Sequence, residues 1–241
     1  MNILALDTSS RVASCAILRD GVLAGEFFAN IGLTHSQTAM PMVEKLLEQT
    51  AIGLREMDVF AVCTGPGSFT GLRIGISCVK GMAMAAGKPC AGVSTLLTLA
   101  EGIRLFEGYI CPVMDARRGQ VYTSLFESMG GKLSRLREDE AISIEGLEAI
   151  LRELPLGVML VGDGAQLCME RLSGVASLQM APERFLHQRA SALASIACEM
   201  AQSGGLTSAA ELAPSYLRLP QAERERMSRP KSRKDGLCHE L

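Results

Sequence analysis

Three polar turns carry the groups with which this chain could do chemistry. Asp7-Thr8-Ser9-Ser10 closes the apolar run NILAL and sets a carboxylate, three hydroxyls and backbone donors at a strand–strand junction. Such a turn can cradle a phosphate, with Asp7 holding a magnesium ion through water. Asp115, at the end of YICPVMD, could supply a second carboxylate across a cleft. Gly162-Asp163-Gly164 ends another apolar run, where Gly162 and Gly164 would let the backbone approach an adenine or ribose. One carboxylate turn per half, with a glycine turn, is the layout of a nucleotide clamp. Ordinary polar hairpin turns would look the same and need no ligand.

GPGSFTGLRIG at 65–75 is the most distinctive string. Ser68 or Thr70 can cap the helix that follows, and its N-terminus could bind an anion. It is no P-loop, since GxxxxGK[ST] is missing. Gly71, Gly75, Cys78, Gly81 and Ala85 leave a narrow strip on that helix, which suits close helix–helix approach within the chain or between subunits. His35 has Ala39 four residues on, so there is no H-x-x-x-H pair, and His187 and His239 stand in unrelated settings. Histidine-based metal catalysis and a zinc peptidase are disfavoured, and without G-x-S-x-G so is a Ser-His-Asp hydrolase. Arg117 and Arg118, just after Asp115, suit a phosphate or a partner carboxylate, or simply a solvated turn.

The elements that must position these turns are legible in the periodicity. NILALD, residues 11–19 and VLAGEFFAN read as an antiparallel meander, with Asp20-Gly21 as a hairpin signal. THSQTAMPMVEKLLEQTA reads as a helix capped by Thr34 or Ser36, with Pro41 in its first turn. DVFAVCTG is a buried strand, and 68–86 a helix with Leu72, Ile76, Val79 and Met82 on one stripe. KPCAGVSTL is a strand leading to a helix near 95–106. Helices near 144–153 and 189–203 are assigned to the second half. YICPVMDARRGQVYTSLFES echoes NILALDTSSRVASCAILRDG, pairing Asp115 with Asp7, and VMLVGDGAQ echoes VFAVCTGPG, pairing Gly164 with Gly65. Two echoes in the same order indicate a duplicated meander, helix and strand unit.

Composition narrows the class. In 241 residues, 48% are hydrophobic and the net charge is −2, so the bulk folds around a sizeable core. The charge balance argues against a duplex-coating protein, and with no Trp and three Tyr a base-stacking platform is weakly supported. Eight cysteines without a CxxC sit mostly in apolar runs and read as buried thiols of a reducing compartment. The N-terminus lacks a basic region, and the small-residue stretch from Gly75 contains Lys80, Lys88 and Pro89, so neither a signal peptide nor a membrane span is expected. The cytoplasm is the expected location. Residues 221–241 hold six Lys or Arg against four acids and no apolar periodicity. They read as a solvated tail, with RNA contact as the sharper alternative.

The chain resembles the TsaB (YeaZ) family of tRNA-modification proteins. The match runs through ILALDTSS at 3–10, HSQTAMP at 35–41, GPGSFTGLRIG at 65–75, MDARRGQVY at 114–122, VGDGA at 161–165 and P-S-Y-L-R at 214–218. The resemblance implies the two-lobed α/β fold of the actin, sugar-kinase and Hsp70 class (ASKHA), with lobes at 1–98 and 99–218; the charged, flexible tail expected at 219–241 lies outside it. It implies a non-catalytic scaffold for the paralogue TsaD, which with the ATPase TsaE transfers threonylcarbamoyl from an adenylate made by TsaC. The acceptor is a tRNA adenosine beside the anticodon. It also implies a homodimer when alone, a heterodimer with TsaD, and tRNA contact through the complex. On this reading no residue is catalytic and none binds metal, and no cofactor is required. Asp7, Thr8, Ser9, Ser10, Asp115, Gly162 and Gly164 are relics of a nucleotide site or hold ATP or ADP with magnesium weakly. Ser68, Thr70, Gly71, Arg73, Gly75 and Cys78 are the expected dimer or partner surface. An ATP-dependent small-molecule kinase of the same fold is the competing reading.

Overall fold

The computed structural model describes residues 1–218, apart from 156 and 173. The tail expected at 219–241, with His239 and Cys238, lies outside the described residues. The elements run β1 (Asn2–Asp7), β2 (Ala13–Arg19), β3 (Val22–Ala29), α1 (His35–Thr50), β4 (Val59–Gly65), α2 (Phe69–Ala86), β5 (Cys90–Ser94) and α3 (Thr95–Glu101). The same series then repeats as β6 (Gly108–Asp115), β7 (Gln120–Met129), β8 (Lys132–Ser143), α4 (Ile144–Arg152), β9 (Val158–Val161), α5 (Ala165–Arg171), β10 (Leu178–Met180) and α6 (Ala190–Ser203).

The two sheets have the same topology. One runs β3-β2-β1-β4-β5 and the other β8-β7-β6-β9-β10. In each, the first strand pairs antiparallel with the second and parallel with the fourth. The duplication is therefore present strand for strand, in a two-lobed α/β architecture. Asp7 and Asp115 are the last residues of β1 and β6, as the echo requires. The glycine pairing needs adjusting. Gly162, not Gly164, leaves β9 with φ +113°, matching Gly65 at the end of β4 with φ +131°. Only a residue without Cβ makes that turn comfortably.

The helices closing the two units do not stay with their own sheets. Leu96, Leu99 and Ala100 of α3 enter the core of the second sheet, beside Ile110, Val113 and Val161. Ala190, Leu193, Ala194 and Ala197 of α6 enter a core made by Ile3, Ala5, Ala16, Ala61 and Val93 of the first. The assignment of the helix near 189–203 to the second half is thus corrected. Its alanines let the helix lie close on the first sheet, and burying Leu193 there contributes roughly 2 kcal/mol. The segment after α6 also returns to the first lobe. Thr207 bridges Cys90, and Leu212 is buried beside Leu72 and Val79.

Pro41 lies in the second turn of α1, not the first, because the helix begins at His35. Pro41 and Gln37 are both exposed, so water can meet the carbonyl whose helical partner the proline removes. Thr34 is the N-cap by position, but its Oγ1 donates to Gln37 Oε1 at 2.8 Å and caps no backbone N–H. Ser68 caps α2 as expected, accepting from Gly71 N at 3.2 Å. The seven described cysteines are free thiols. Burial pushes Cys15 and Cys111 up to about 12 and Cys168 to about 11. Among the described residues, no helix is long and apolar enough to cross a membrane.

Candidate functional site

A cleft of about 800 Å³ opens between the two lobes. From the first lobe it is lined by Ser9, Ser10, Arg11 and the N-terminal turns of α1 and α2. From the second come Asp115, Arg117, Tyr122 and Asp163. Ser215, Tyr216 and Arg218 edge it from the C-terminal segment.

Ser9 and Ser10 edge this cleft, but Asp7 and Thr8 do not reach it, and the whole turn is buried. Asp7 is 0% exposed, Thr8 and Ser9 1% and Ser10 4%. Asp7 Oδ1 accepts from Ser9 N at 2.9 Å, and burial raises the Asp7 carboxyl above the usual carboxylate range. Thr8 Oγ1 donates to Gly71 O at 2.8 Å, and Ser68 N donates to Ser9 O at 2.7 Å. Ser10 Oγ donates to Gln188 Oε1 at 2.9 Å, just ahead of α6. His35 Nε2 lies 2.7 Å from Ser10 O, and since a carbonyl only accepts, that nitrogen carries the proton.

The start of α2 therefore sits on the turn that the sequence reading offers to a phosphate. A Cβ at Gly67 would collide with Ser9 O, at Gly71 with Thr8 O, and at Gly75 with Thr8 Oγ1. The three glycines admit the helix to the turn. This corrects the expectation that Gly71 and Gly75 form a partner surface, since both are buried within the chain. Of the other residues expected there, Ser68, Thr70 and Arg73 are exposed and Cys78 is half-buried. The outward strip of α2 is Ser77, Gly81, Met84 and Ala85, with Met84 70% exposed and open space around Gly81.

A magnesium nucleotide does not fit at Asp7. Its carboxyl is enclosed, Ser9 N already donates to Asp7 Oδ1, Ser9 O accepts from Ser68 N and Ser10 O from His35 Nε2. Asp115 is exposed at the cleft, so the two carboxylates do not face each other as a pair. Its Oδ1 accepts from Arg117 N at 2.7 Å. Arg117 and Arg118 both take left-handed backbone, φ +62° and +57°, in a turn that Gly119 completes. Gly162 and Gly164 make a close approach to β6. A Cβ on Gly162 would collide with Val113 O, and Gly164 N donates to the same oxygen at 3.1 Å.

Sequence reasoning passed over Asp163, quoted only for its flanking glycines. It lines the cleft, and its Oδ1 accepts from Asp115 N at 3.2 Å. Burial raises its carboxyl above the usual range. His187 is buried beside Phe28, and burial lowers its pKa. The C-terminal segment was also passed over as a structural part. Ser215 N donates to Thr64 O at 2.8 Å, and Ser215 O lies where any side chain at Gly65 would be. The Tyr216 ring packs 5.1 Å from Phe69, whose other neighbour is the Arg73 guanidinium at 3.9 Å. Arg218 then reaches the other lobe, where Nη1 donates to Ala116 O at 2.9 Å. The signal was P-S-Y-L-R itself, noticed as a string without a role.

Comparison with known proteins supplies the family. Residues 31–224 match the family model described as TsaD: tRNA N6-adenosine threonylcarbamoyltransferase. The tRNA threonylcarbamoyladenosine biosynthesis protein TsaB of Bacillus subtilis is 34% identical over 227 residues, 92% of this chain and 96% of that one. TsaB of Escherichia coli is 32% identical over 221 residues, 90% of this chain and 95% of that one. Among solved structures, YeaZ from Pseudomonas aeruginosa superposes with a TM-score of 0.77 at 28% identity, covering 90% of this chain and 99% of that one.

Proposed function

The chain belongs to the TsaB (YeaZ) family of tRNA threonylcarbamoyladenosine biosynthesis proteins, and from that premise we propose that it is the non-catalytic scaffold and activator of TsaD. TsaD, with TsaE, transfers the threonylcarbamoyl group from its adenylate to the tRNA adenosine next to the anticodon. This chain holds TsaD in its working form and performs no step of the chemistry itself. The observation that supports this reading is the seal over the Asp7–Ser10 turn. Its place for phosphate is taken by the chain's own helix α2 through Thr8 to Gly71 and Ser68 to Ser9. A protein whose own helix closes off that turn in this way serves better as a rigid surface than as a phosphoryl-transfer site.

On this reading the chain pairs with itself when alone and exchanges that partner for TsaD, and it meets tRNA only through the complex. The outward strip of α2, with Ser77, Gly81, Met84 and Ala85, is the surface offered for pairing, together with exposed Thr70 and Arg73. No cofactor is required. Weak binding of ATP or ADP would have to use the open part of the cleft, near Arg11 and Arg117, without a metal on Asp7. A small-molecule kinase is not favoured, because Asp7, the carboxylate expected to hold the metal of a bound nucleotide, is enclosed. The test is threonylcarbamoylation of unmodified tRNA by cognate TsaC, TsaD and TsaE, read by mass spectrometry of nucleosides. Product that depends on this chain is expected. Equal product without it would remove the scaffold role.

A further inference from the structure

We propose that Asp7 is the centre of an internal water site at the seam between the lobes. Side chains alternate along β1, and Ile3 and Ala5 face the core that α6 enters. Asp7 continues that series. Its cross-strand partner Ser14 continues the series of Ala16 and Leu18 on β2, and Cys63 that of Val59 and Ala61 on β4. Ser14, Asp7 and Cys63 thus stand in a row across three adjacent strands, on the face turned away from α2. α3 closes the row. Cys63 Sγ lies 3.4 Å from Thr98 Oγ1, and Thr95 opens the same helix.

This group is buried and polar, and it is incompletely bonded. Among the described residues, Asp7 Oδ2, Ser9 Oγ, Ser14 Oγ and Thr95 Oγ1 are buried without a hydrogen-bond partner. The Ser9 side chain and Cys63 stand beside the Asp7 carboxyl and Thr95 beside Cys63, and orphaned oxygens in such a buried polar row are what an internal water satisfies. Ser9, Ser14, Cys63 and Thr95 are also small side chains. Water can donate to Asp7 Oδ2 and exchange hydrogen bonds in either direction with hydroxyls. A magnesium ion would bring two charges into an enclosed place that offers one carboxylate. Burial raises the Asp7 carboxyl, which also disfavours a site built on its full negative charge. Because α3 is rooted in the core of the second lobe, such a water ties the first sheet to the second unit.

The experiment is a crystal structure of the full chain grown with ATP and manganese, at a resolution that shows ordered water. The expected result is a density peak at hydrogen-bond distance, about 2.7–3.2 Å, from Asp7 Oδ2 and from the hydroxyl of Ser14 or Thr95. It should carry no manganese anomalous signal. An anomalous peak there would make Asp7 a metal ligand and overturn the proposal. So would an empty site with the hydroxyls bonded directly to the carboxyl. In solution, water-oxygen relaxation dispersion counts long-lived internal waters. Replacing Ser14→Ala together with Thr95→Val should lower that count by at least one, and an unchanged count in the folded variant would overturn the site.

Discussion

Thr8 Oγ1 donates to the carbonyl of Gly71 across 2.8 Å, joining the turn after β1 to the first turn of α2. The contact depends on glycines. Gly67, Gly71 and Gly75 each face an atom of Thr8 or Ser9 where a Cβ would not fit. A helix that could have left room for phosphate is closed down on the turn.

Substitutions at these glycines should therefore cost stability before they affect any partner. Gly71→Ala meets backbone at Thr8 O, which must shift. Overpacking of this kind costs about 1–3 kcal/mol, and for a chain of this size each 1 kcal/mol lowers Tm by roughly 2–4 °C. Gly75→Leu meets the buried, bonded Thr8 hydroxyl and should cost more. Calorimetry of both variants checks this, and a Gly75→Leu chain with wild-type Tm would contradict the packing described here.

Gly81 offers the opposite case. Nothing lies within 4 Å of the Cβ it would gain, so Gly81→Leu should fold normally. Removing a helix-interior glycine even favours the helix, by up to about 1 kcal/mol. If the outward strip of α2 is the pairing surface, the homodimer Kd should change at least tenfold, about 1.4 kcal/mol. Sedimentation velocity over a concentration series measures it. An unchanged Kd would move pairing to another face.

Asp7 should leave a signature in the pH dependence of stability. Burial raises its carboxyl in the folded chain above the ordinary value of 3.8. Between that value and the raised one, the folded state holds the proton more tightly than the unfolded state. Stability is then greatest below the ordinary carboxylate pKa and falls as pH rises through the folded one. Asp7→Asn should flatten this fall. Denaturant unfolding of both proteins from pH 4 upward is the measurement, and parallel profiles would mean that Asp7 does not titrate in this window. Asp163, raised in the same direction by burial, predicts the same sign.

The C-terminal segment should act as a brace. Arg218 Nη1 holds Ala116 O, next to two arginines in left-handed backbone. Each such residue costs roughly 1–2 kcal/mol, so the turn needs support from outside. Arg218→Met should speed hydrogen exchange at the amides of 116–120 and leave those of β1 unchanged. Tyr216→Ala should loosen the same segment by removing the ring packed on Phe69, worth about 0.5–1.5 kcal/mol beyond its buried area. Equal exchange in both variants would show that the turn holds itself.

Much of the fold was legible locally. Period-two strands, the Asp20-Gly21 hairpin and the stripe of Leu72, Ile76, Val79 and Met82 follow from side-chain alternation and helical spacing, which neighbouring residues set. The repeat was legible because each unit ends its first strand in aspartate and leaves its fourth with a glycine. α5 was not legible, since AQLCMER buries only Ala165 and Cys168 and shows no apolar stripe that separates a helix from a loop.

What the sequence alone determined is therefore the elements, their duplicated order and the family strings on their turns. Tertiary structure decided the rest. An amphipathic stripe on α6 says that a face is buried, but not which sheet buries it, and α6 crossed to the first. Gly71 and Gly75 read as small, but only packing shows that their neighbour is Thr8 and not another chain. Asp7 read as a phosphate-site carboxylate until the fold enclosed it, because burial is set by distant segments that arrive at the turn, here α2, α3 and α6.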